Sequence, residues 1–285
     1  MNTNGNTYTV IYSTVLVVLV AAILSFVAMS LQDKQNENVK METISKVLTA
    51  AAESDPSVTI DETTNVMQMY ADMVTAAFFV DGSGKNVESM ELGKEDLNRI
   101  EVPTTADLKK QNDLLKKIDG GQTDLLGQLR LPVFIFDVNG TEIRVIPCYG
   151  AGLWGPIWGY LAVADDGRTI KGAIFDHKGE TPGLGAKIAE PAFYDKFIDK
   201  AFSDADTKFA VVKGGNPEDQ NTVDAISGAT ITSQALGKGI NLWVKYYEPY
   251  LKTVAAAKTE KLLQQQAAAS VQEDTAGEAT INEEE

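Results

Sequence analysis

The sequence predicts an α+β protein, with one membrane-spanning helix ahead of a domain in which an antiparallel sheet is flanked by helices. Three observations predict it. Residues 10–29 are apolar and carry no charge. Between 131 and 175, β-branched and aromatic runs alternate with the tight-turn pairs Asn139-Gly140 and Asp166-Gly167. Beyond 230, the apolar residues Ile231, Leu236, Ile240, Trp243, Val244 and Tyr247 recur at helical spacing. Strands and helices are segregated along the chain, which favours α+β over a doubly wound parallel sheet.

The first run spans about the ~30 Å of a bilayer's hydrocarbon core at ~1.5 Å per residue. It is long for a cleaved signal, no Lys or Arg precedes it and no convincing small-x-small cleavage site follows, so it reads as a retained anchor. Lys34, Lys40 and Lys46 follow it, and the positive-inside rule would keep the next domain in the cytoplasm. A helical rhythm of Val39, Ile44, Val47 and Leu48 continues the helix to 52, where Asp55-Pro56 stops it. A second helix is expected over 64–77, a strand over 77–80 and a polar surface helix over 106–118. This first third shows no cluster of chemistry and reads as scaffold.

The runs 133–136 and 142–146 flank Asn139-Gly140, and 160–164 and 169–175 flank Asp166-Gly167, each pair making a hairpin signal. A helix over 190–201 with Phe193, Phe197 and Ile198 inward follows, then a strand over 208–212. Residues 255–270 are rich in Ala, Gln, Lys and Glu and read as partly helical; the acidic stretch 271–285 reads as disordered. The predicted divisions are 1–30 as anchor, 31–130 as helical linker and scaffold, 131–253 as the sheet domain and 254–285 as an acidic low-complexity tail.

A chain of 285 residues, 44% hydrophobic, has ample material for a core. Its net charge of −15 argues against nucleic acid as a partner. The single cysteine, Cys148, rules out an internal disulfide and a cysteine-held cluster. Gly-x-Gly-x-x-Gly after a strand is read as absent, as is a P-loop, so neither NADH nor ATP is expected on this chain. The lone His177 lies far in sequence from the serines around 227, and no metal-ligand cluster stands out.

Three loops remain. Asp224-Ala-Ile-Ser-Gly-Ala-Thr230-Ile-Thr232 opens the last helix, crowding Ser227, Thr230 and Thr232 at an N-terminus whose free N–H groups and dipole can hold a phosphate. Gly228 and Ala229 leave the backbone bare. These residues equally suit a Ser or Thr cap on an ordinary helix. The stretch 150–159 sets Leu153, Trp154 and Trp158 among four glycines, which suits a flat apolar ligand or a buried aromatic corner. In 177–187, Pro182-Gly183 favours a type II turn and Leu184-Gly185 keeps the loop narrow, so bare N–H groups and the Thr181 hydroxyl can face a ligand; a simple turn is the alternative. His177 reads as a solvated turn residue.

Ser227-Gly-Ala-Thr230 with Asp224 three positions earlier resembles the flavinylation motif of proteins that carry FMN as a phosphoester on threonine. The stretches 150–159 and 177–187 resemble the same family's flavin-binding loops. From the anchor to about Tyr250 the chain is similar to the covalent FMN-binding domain family, and within it to the C-type subunits of the sodium-translocating NADH:quinone oxidoreductase. The resemblance implies one covalent FMN on Thr230, with Ser227, Gly228, Ala229, Thr232, Leu153, Trp154, Glu180, Thr181, Gly183, Leu184 and Lys213 binding the cofactor and no metal. Glu180 would then stand next to the ring and bias its potential, while Asp224 and Lys213 would serve attachment or the cofactor's charge, or equally act as a cap or ion partner.

The implied function is single-electron relay, with the protein setting position and potential. The implied partners are the other membrane and NADH-oxidising subunits, of B, D, E and F type, and a separate flavin transferase. The implied location is the bacterial inner membrane with the flavin domain on the periplasmic side, against the lysine pattern. Two alternatives stay open: the flavin subunit of the related ferredoxin:NAD oxidoreductase complex, and a cofactor-free anchored scaffold.

Overall fold

The computed structural model describes residues 5–281, and the chain divides into two compact units, Met1–Thr43 and Ile44–Glu285. The described part of the first unit is the beginning of helix α1 (Asn6–Ala52). Its apolar side chains, from Val10 to Met29, are exposed. Thr14 and Ser30 return their hydroxyls to the Val10 and Val27 carbonyls at 2.8 and 3.0 Å, so their polar atoms are satisfied within the helix, as a lipid setting requires. Length and composition suffice to cross a membrane.

In the second unit the end of α1 buries Ile44, Val47, Leu48 and Ala51. Helix α2 (Val66–Met73) starts at Asn65, whose side chain accepts the Gln68 N–H. It is shorter than the 64–77 expected: β1 (Val74–Val80) begins at Val74, where β-branched residues pair with a later strand. After β2 (Asn86–Ser89), α3 (Thr105–Asp119) opens with a capping box between Thr104 and Asp107. It is not purely a surface helix, since Leu108, Asn112, Leu115 and Ile118 are buried.

Strands β3 (Leu131–Val138), β4 (Thr141–Ala151), β5 (Pro156–Val163) and β6 (Ile170–His177) complete a six-stranded antiparallel sheet of order β2-β1-β3-β4-β5-β6. Asn139 and Gly140 take φ of 51° and 82°, the left-handed pair that a two-residue hairpin turn requires. The stretch read as a joining loop at 150–159 is mostly sheet. β4 and β5 pair as far as Ala151 and Pro156, leaving 152–155 as a turn closed by Gly152 N–H to the Gly155 carbonyl at 2.7 Å. Gly150, Gly152 and Gly155 do match the spacing Gly-x-Gly-x-x-Gly. They feed a strand, whereas a dinucleotide pyrophosphate uses a turn that opens a helix.

The helix expected over 190–201 is only α4 (Pro191–Tyr194) with a 3-10 turn, Asp195–Phe197. The chain leaves it because Asp199, at φ 62°, turns back to pair with β6 through its N–H to the Ile170 carbonyl. Phe193 and Phe197 are buried as expected, while Ile198 is only half-buried. Strand β7 (Ala210–Val212) pairs in parallel with β8 (Thr222–Asp224), which leads directly to Ser227.

Helix α5 (Thr230–Ile281) then lies against β4. A Cβ on Gly239 would meet the Tyr149 carbonyl at 3.0 Å, so this glycine permits the close approach. Leu236, Ile240, Trp243, Val244 and Tyr247 are buried; Ile231 is 60% exposed, because the inward stripe at the helix start runs through Thr232 and Ser233 instead. On β6, a Cβ at Gly172 would come 2.3 Å from the Ala50 carbonyl, so α1 covers that strand. Gly150 and His177 both sit across from Ile157. Gly172 lies an odd number of residues from His177, which puts the end of α1 and the start of α5 on opposite faces. Beyond the packed region α5 continues through the Ala- and Gln-rich segment 255–270, which has high helix propensity, and on to Ile281, where disordered chain was expected from 271. Residues 282–285 of the tail lie outside the described residues.

Candidate functional site

Strand β8 delivers the chain into a tight turn at 226–229. Gly228 has φ 80°, and the Ala229 N–H returns to the Ile226 carbonyl at 3.0 Å, the pattern of a type II turn. Ser233, fully buried, staples this turn: its Oγ accepts the Ile226 N–H at 3.1 Å and donates to the Ala229 carbonyl at 2.9 Å. Sequence reasoning missed Ser233, whose signal was a hydroxyl in the first helical turn. Asp224 accepts the Gly214 N–H at 2.7 Å, so it caps the turn that follows β7.

At the head of α5, Thr230 is half-buried, while Thr232 is 1% exposed and donates to Glu180 Oε2 at 2.6 Å. Ser233 N–H bonds the Ala229 carbonyl, and the N–H groups of Thr230, Ile231 and Thr232 have no acceptor among the described residues. Such a cluster of free donors at the positive end of a helix dipole attracts an anion.

The loop after β6 forms the second side. Thr181 to Leu184 is the expected turn, with Gly183 at φ 75° and the Leu184 N–H on the Thr181 carbonyl at 3.1 Å. A Cβ on Gly228 would meet Leu184 Cδ2 at 3.1 Å, so this loop touches the turn before Thr230. His177 is the last residue of β6 and half-buried, not a solvated turn residue; its Nδ1 accepts the Glu180 N–H at 3.2 Å.

The turn at 152–155 forms the third side. Its Trp154 N–H donates to Glu180 Oε1 at 2.9 Å. Its side chains stand outward: Leu153 is 50% and Trp154 69% exposed, and Leu184 on the second loop is 43% exposed. Trp158 belongs to β5, opposite Asp176, with Lys46 Nζ 5.5 Å from its ring centroid.

Glu180 therefore links all three loops, and it is 4% exposed with both oxygens engaged inside the protein. Gly152 and Gly185 make room for its carboxylate, since a Cβ on either would lie 2.4 Å from one of its oxygens. Ser227, Gly228, Ala229, Thr230, Thr232, Leu153, Trp154, Glu180, Thr181, Gly183 and Leu184 thus gather at one place. Lys213 stands exposed at the end of β7, and no contact among the described residues joins it to Thr230.

These features suit a flat, anionic group: bare N–H groups and an open Gly183, which has nothing within 4 Å of its Cβ position, lie beside three exposed apolar side chains. A cavity of 240 Å³ lies elsewhere, between Arg168, Phe202, Lys208, Val244 and Glu248. Its charges pair among themselves, Arg168 with Asp204 at 2.9 Å and Lys208 with Glu248 at 3.1 Å.

Residues 152–245 match the family model of the FMN-binding domain. The chain is 28% identical over 234 residues to the C-type subunit of the Na(+)-translocating NADH-quinone reductase of Vibrio anguillarum, covering 78% of this chain and 84% of that protein. It is 29% identical over 237 residues to the corresponding subunit of Neisseria meningitidis serogroup B, covering 80% and 82%. The crystal structure of the corresponding subunit from Parabacteroides distasonis is 30% identical with a TM-score of 0.58, over 78% of this chain and 96% of that one. Shewanella oneidensis NqrC is 25% identical with a TM-score of 0.57, over 77% and 99%. The antiparallel sheet with flanking helices is thus shared, and the chain belongs to the NqrC family, the C-type subunits of the Na(+)-translocating NADH-quinone reductase.

Proposed function

We propose that this chain is the electron-carrying flavoprotein subunit of a sodium-translocating NADH:quinone reductase, and that it carries one FMN as a phosphoester on Thr230. The observation that carries the reading is the state of the hydroxyls at the head of α5. Those of Thr232 and Ser233 are buried and committed to Glu180 and Ala229, whereas Thr230 sits beside three N–H groups without acceptors. The N–H groups and helix dipole hold the phosphate, so no basic side chain is needed. Leu153, Trp154 and Leu184 offer apolar surface to the ring, Gly183 and Gly228 let the backbone approach it, and Thr181 and Ser227 border it. Lys213, exposed after β7 and outside this cluster, serves the attachment step or the cofactor's charge. Bound FMN supplies the redox chemistry, one electron at a time.

The other subunits of the complex, of B, D, E and F type, exchange electrons with this one, and a separate flavin transferase makes the ester. Residues 1–30 anchor the chain in the inner membrane and 131–253 form the flavin domain, on the periplasmic side. The lysine pattern carries less weight than its count suggests, because Lys46 is engaged with Asp176 and stacked on Trp158. Protease added to intact spheroplasts cleaves the domain in this orientation and spares it in the other.

Thr230→Ala tests the attachment. The variant chain is expected to fold and to show no flavin fluorescence on a denaturing gel. Fluorescence retained there would refute the assignment, and a wild-type chain without it would leave an anchored scaffold.

A further inference from the structure

Resting on the flavin reading, the geometry points to Glu180 as the positioning residue of the site, fixing Trp154 and the first turn of α5 relative to one another while standing outside direct contact with the cofactor. Glu180, expected next to the ring where it would bias the potential, has both carboxylate oxygens engaged inside the protein. One oxygen is taken by the Trp154 N–H at 2.9 Å and the other by the Thr232 hydroxyl at 2.6 Å. Its own N–H is held by His177 Nδ1, so backbone and side chain are both pinned.

Three features indicate that the position is built for a carboxylate. Among the described residues no cation pairs with Glu180, so a charged group is buried on hydrogen bonds from a peptide and a hydroxyl alone. Burying it this way is costly, and an apolar residue would fill the space more cheaply. Second, Gly152 and Gly185, on two different loops, both yield their Cβ positions to it, each 2.4 Å from one of its oxygens. Third, the two groups it holds are the ones that aim the site. Trp154 is the most exposed aromatic there, and Thr232 lies two residues after Thr230 in the same turn.

The negative charge has a separate consequence. A buried carboxylate beside the site opposes the gain of an electron, so it holds the flavin's potential down. Glutamine keeps the shape: its amide oxygen can accept the Trp154 N–H and its NH₂ can donate to Thr232. Position and charge are therefore separable by substitution.

The test uses the full-length chain. In a Thr230→Ala background, free of the flavin question, amide hydrogen exchange at Trp154 reads the positioning alone. Glu180→Ala is expected to speed that exchange about tenfold, the loss of a charge-assisted hydrogen bond, and Glu180→Gln to stay within about threefold of the parent. In the Thr230 chain, Glu180→Gln is expected to keep the flavin's visible circular dichroism and raise its midpoint potential, whereas Glu180→Ala changes both. Trp154 exchange unchanged by Glu180→Ala would overturn the proposal, as would equal disturbance by Gln and Ala. Should Glu180→Ala not fold, Gly185→Ala, whose Cβ displaces the carboxylate from Thr232, is expected to alter the dichroism while the ester survives; an unaltered spectrum would also overturn it. Flavin persisting in Thr230→Ala sinks the attachment reading instead, and leaves the exchange experiment a valid test of Glu180.

Discussion

Thr232 and Glu180, 52 positions apart, meet through a hydroxyl-to-carboxylate hydrogen bond of 2.6 Å in a setting closed to water. That contact ties the head of α5 to the loop leaving β6. Thr232→Val preserves the β-branched shape and removes only the donor, leaving one carboxylate oxygen unsatisfied. The expected cost is about 1–3 kcal/mol of stability, read as a lower urea midpoint with an unchanged slope. A midpoint equal to wild type would mean that the bond contributes nothing.

A second contact joins the end of α1 to the same sheet edge. Lys46 pairs with Asp176, with side chains 20% and 25% exposed, and Asp176 Oδ1 accepts the His177 N–H at 2.7 Å. Lys46→Met is expected to lose roughly 1–2 kcal/mol, more than a surface pair because the aspartate is left partly buried. A double-mutant cycle with Asp176→Asn checks it; additive losses would show no coupling.

Acid should loosen α3 only below about pH 4. Burial pushes the Asp107 carboxyl up, but hydrogen bonds from Lys110 and Thr104 outweigh it and hold it below the usual carboxylate range. A depressed native value contributes stability that is present above the unfolded value of about 3.9 and is lost as pH falls through the native one. Denaturation midpoints measured from pH 6 down to pH 2.5 should therefore fall below about pH 4. Asp107→Asn should lower the midpoint at pH 6 and flatten that fall. An equal slope in the variant would exclude Asp107 as a source.

Cys148 should be silent to thiol reagents. It lies against Gly159 across the β4–β5 pair, and burial pushes its thiol up to about 12. The thiolate is the reactive form, so labelling at pH 8 is expected only after unfolding. Rapid labelling of the folded chain would show that β4 opens locally.

Much of this was legible in the chain. Asn139-Gly140 fixed a hairpin because only left-handed residues close that turn, and the stripe from Leu236 to Tyr247 marked the buried face of α5. The turn at 181–184 followed from Pro182-Gly183. Elsewhere local pattern lost to tertiary pairing. Gly150 and Gly159 look like loop residues, yet they lie in strands: at Gly159 the Phe175 ring and the Ile174 carbonyl leave no room for a Cβ, while at Gly150 a Cβ would only touch the Ala235 carbonyl at 3.4 Å. Strand β8 is three residues long, too short for periodicity to register. Ile231 matched the helical stripe in sequence but sits in the first turn, where Thr232 and Ser233 take the inward positions. The role of Glu180 was invisible because both of its partners are distant in sequence, and one of them is a backbone N–H.

The ester on Thr230 is the central claim, and intact-mass analysis of the chain purified from its own membranes, followed by peptide mapping, tests it most directly. The predicted result is a mass above the bare polypeptide by one FMN less one water, with the added mass on the peptide that contains Thr230. A polypeptide of unmodified mass, or the flavin on a peptide lacking Thr230, would contradict it.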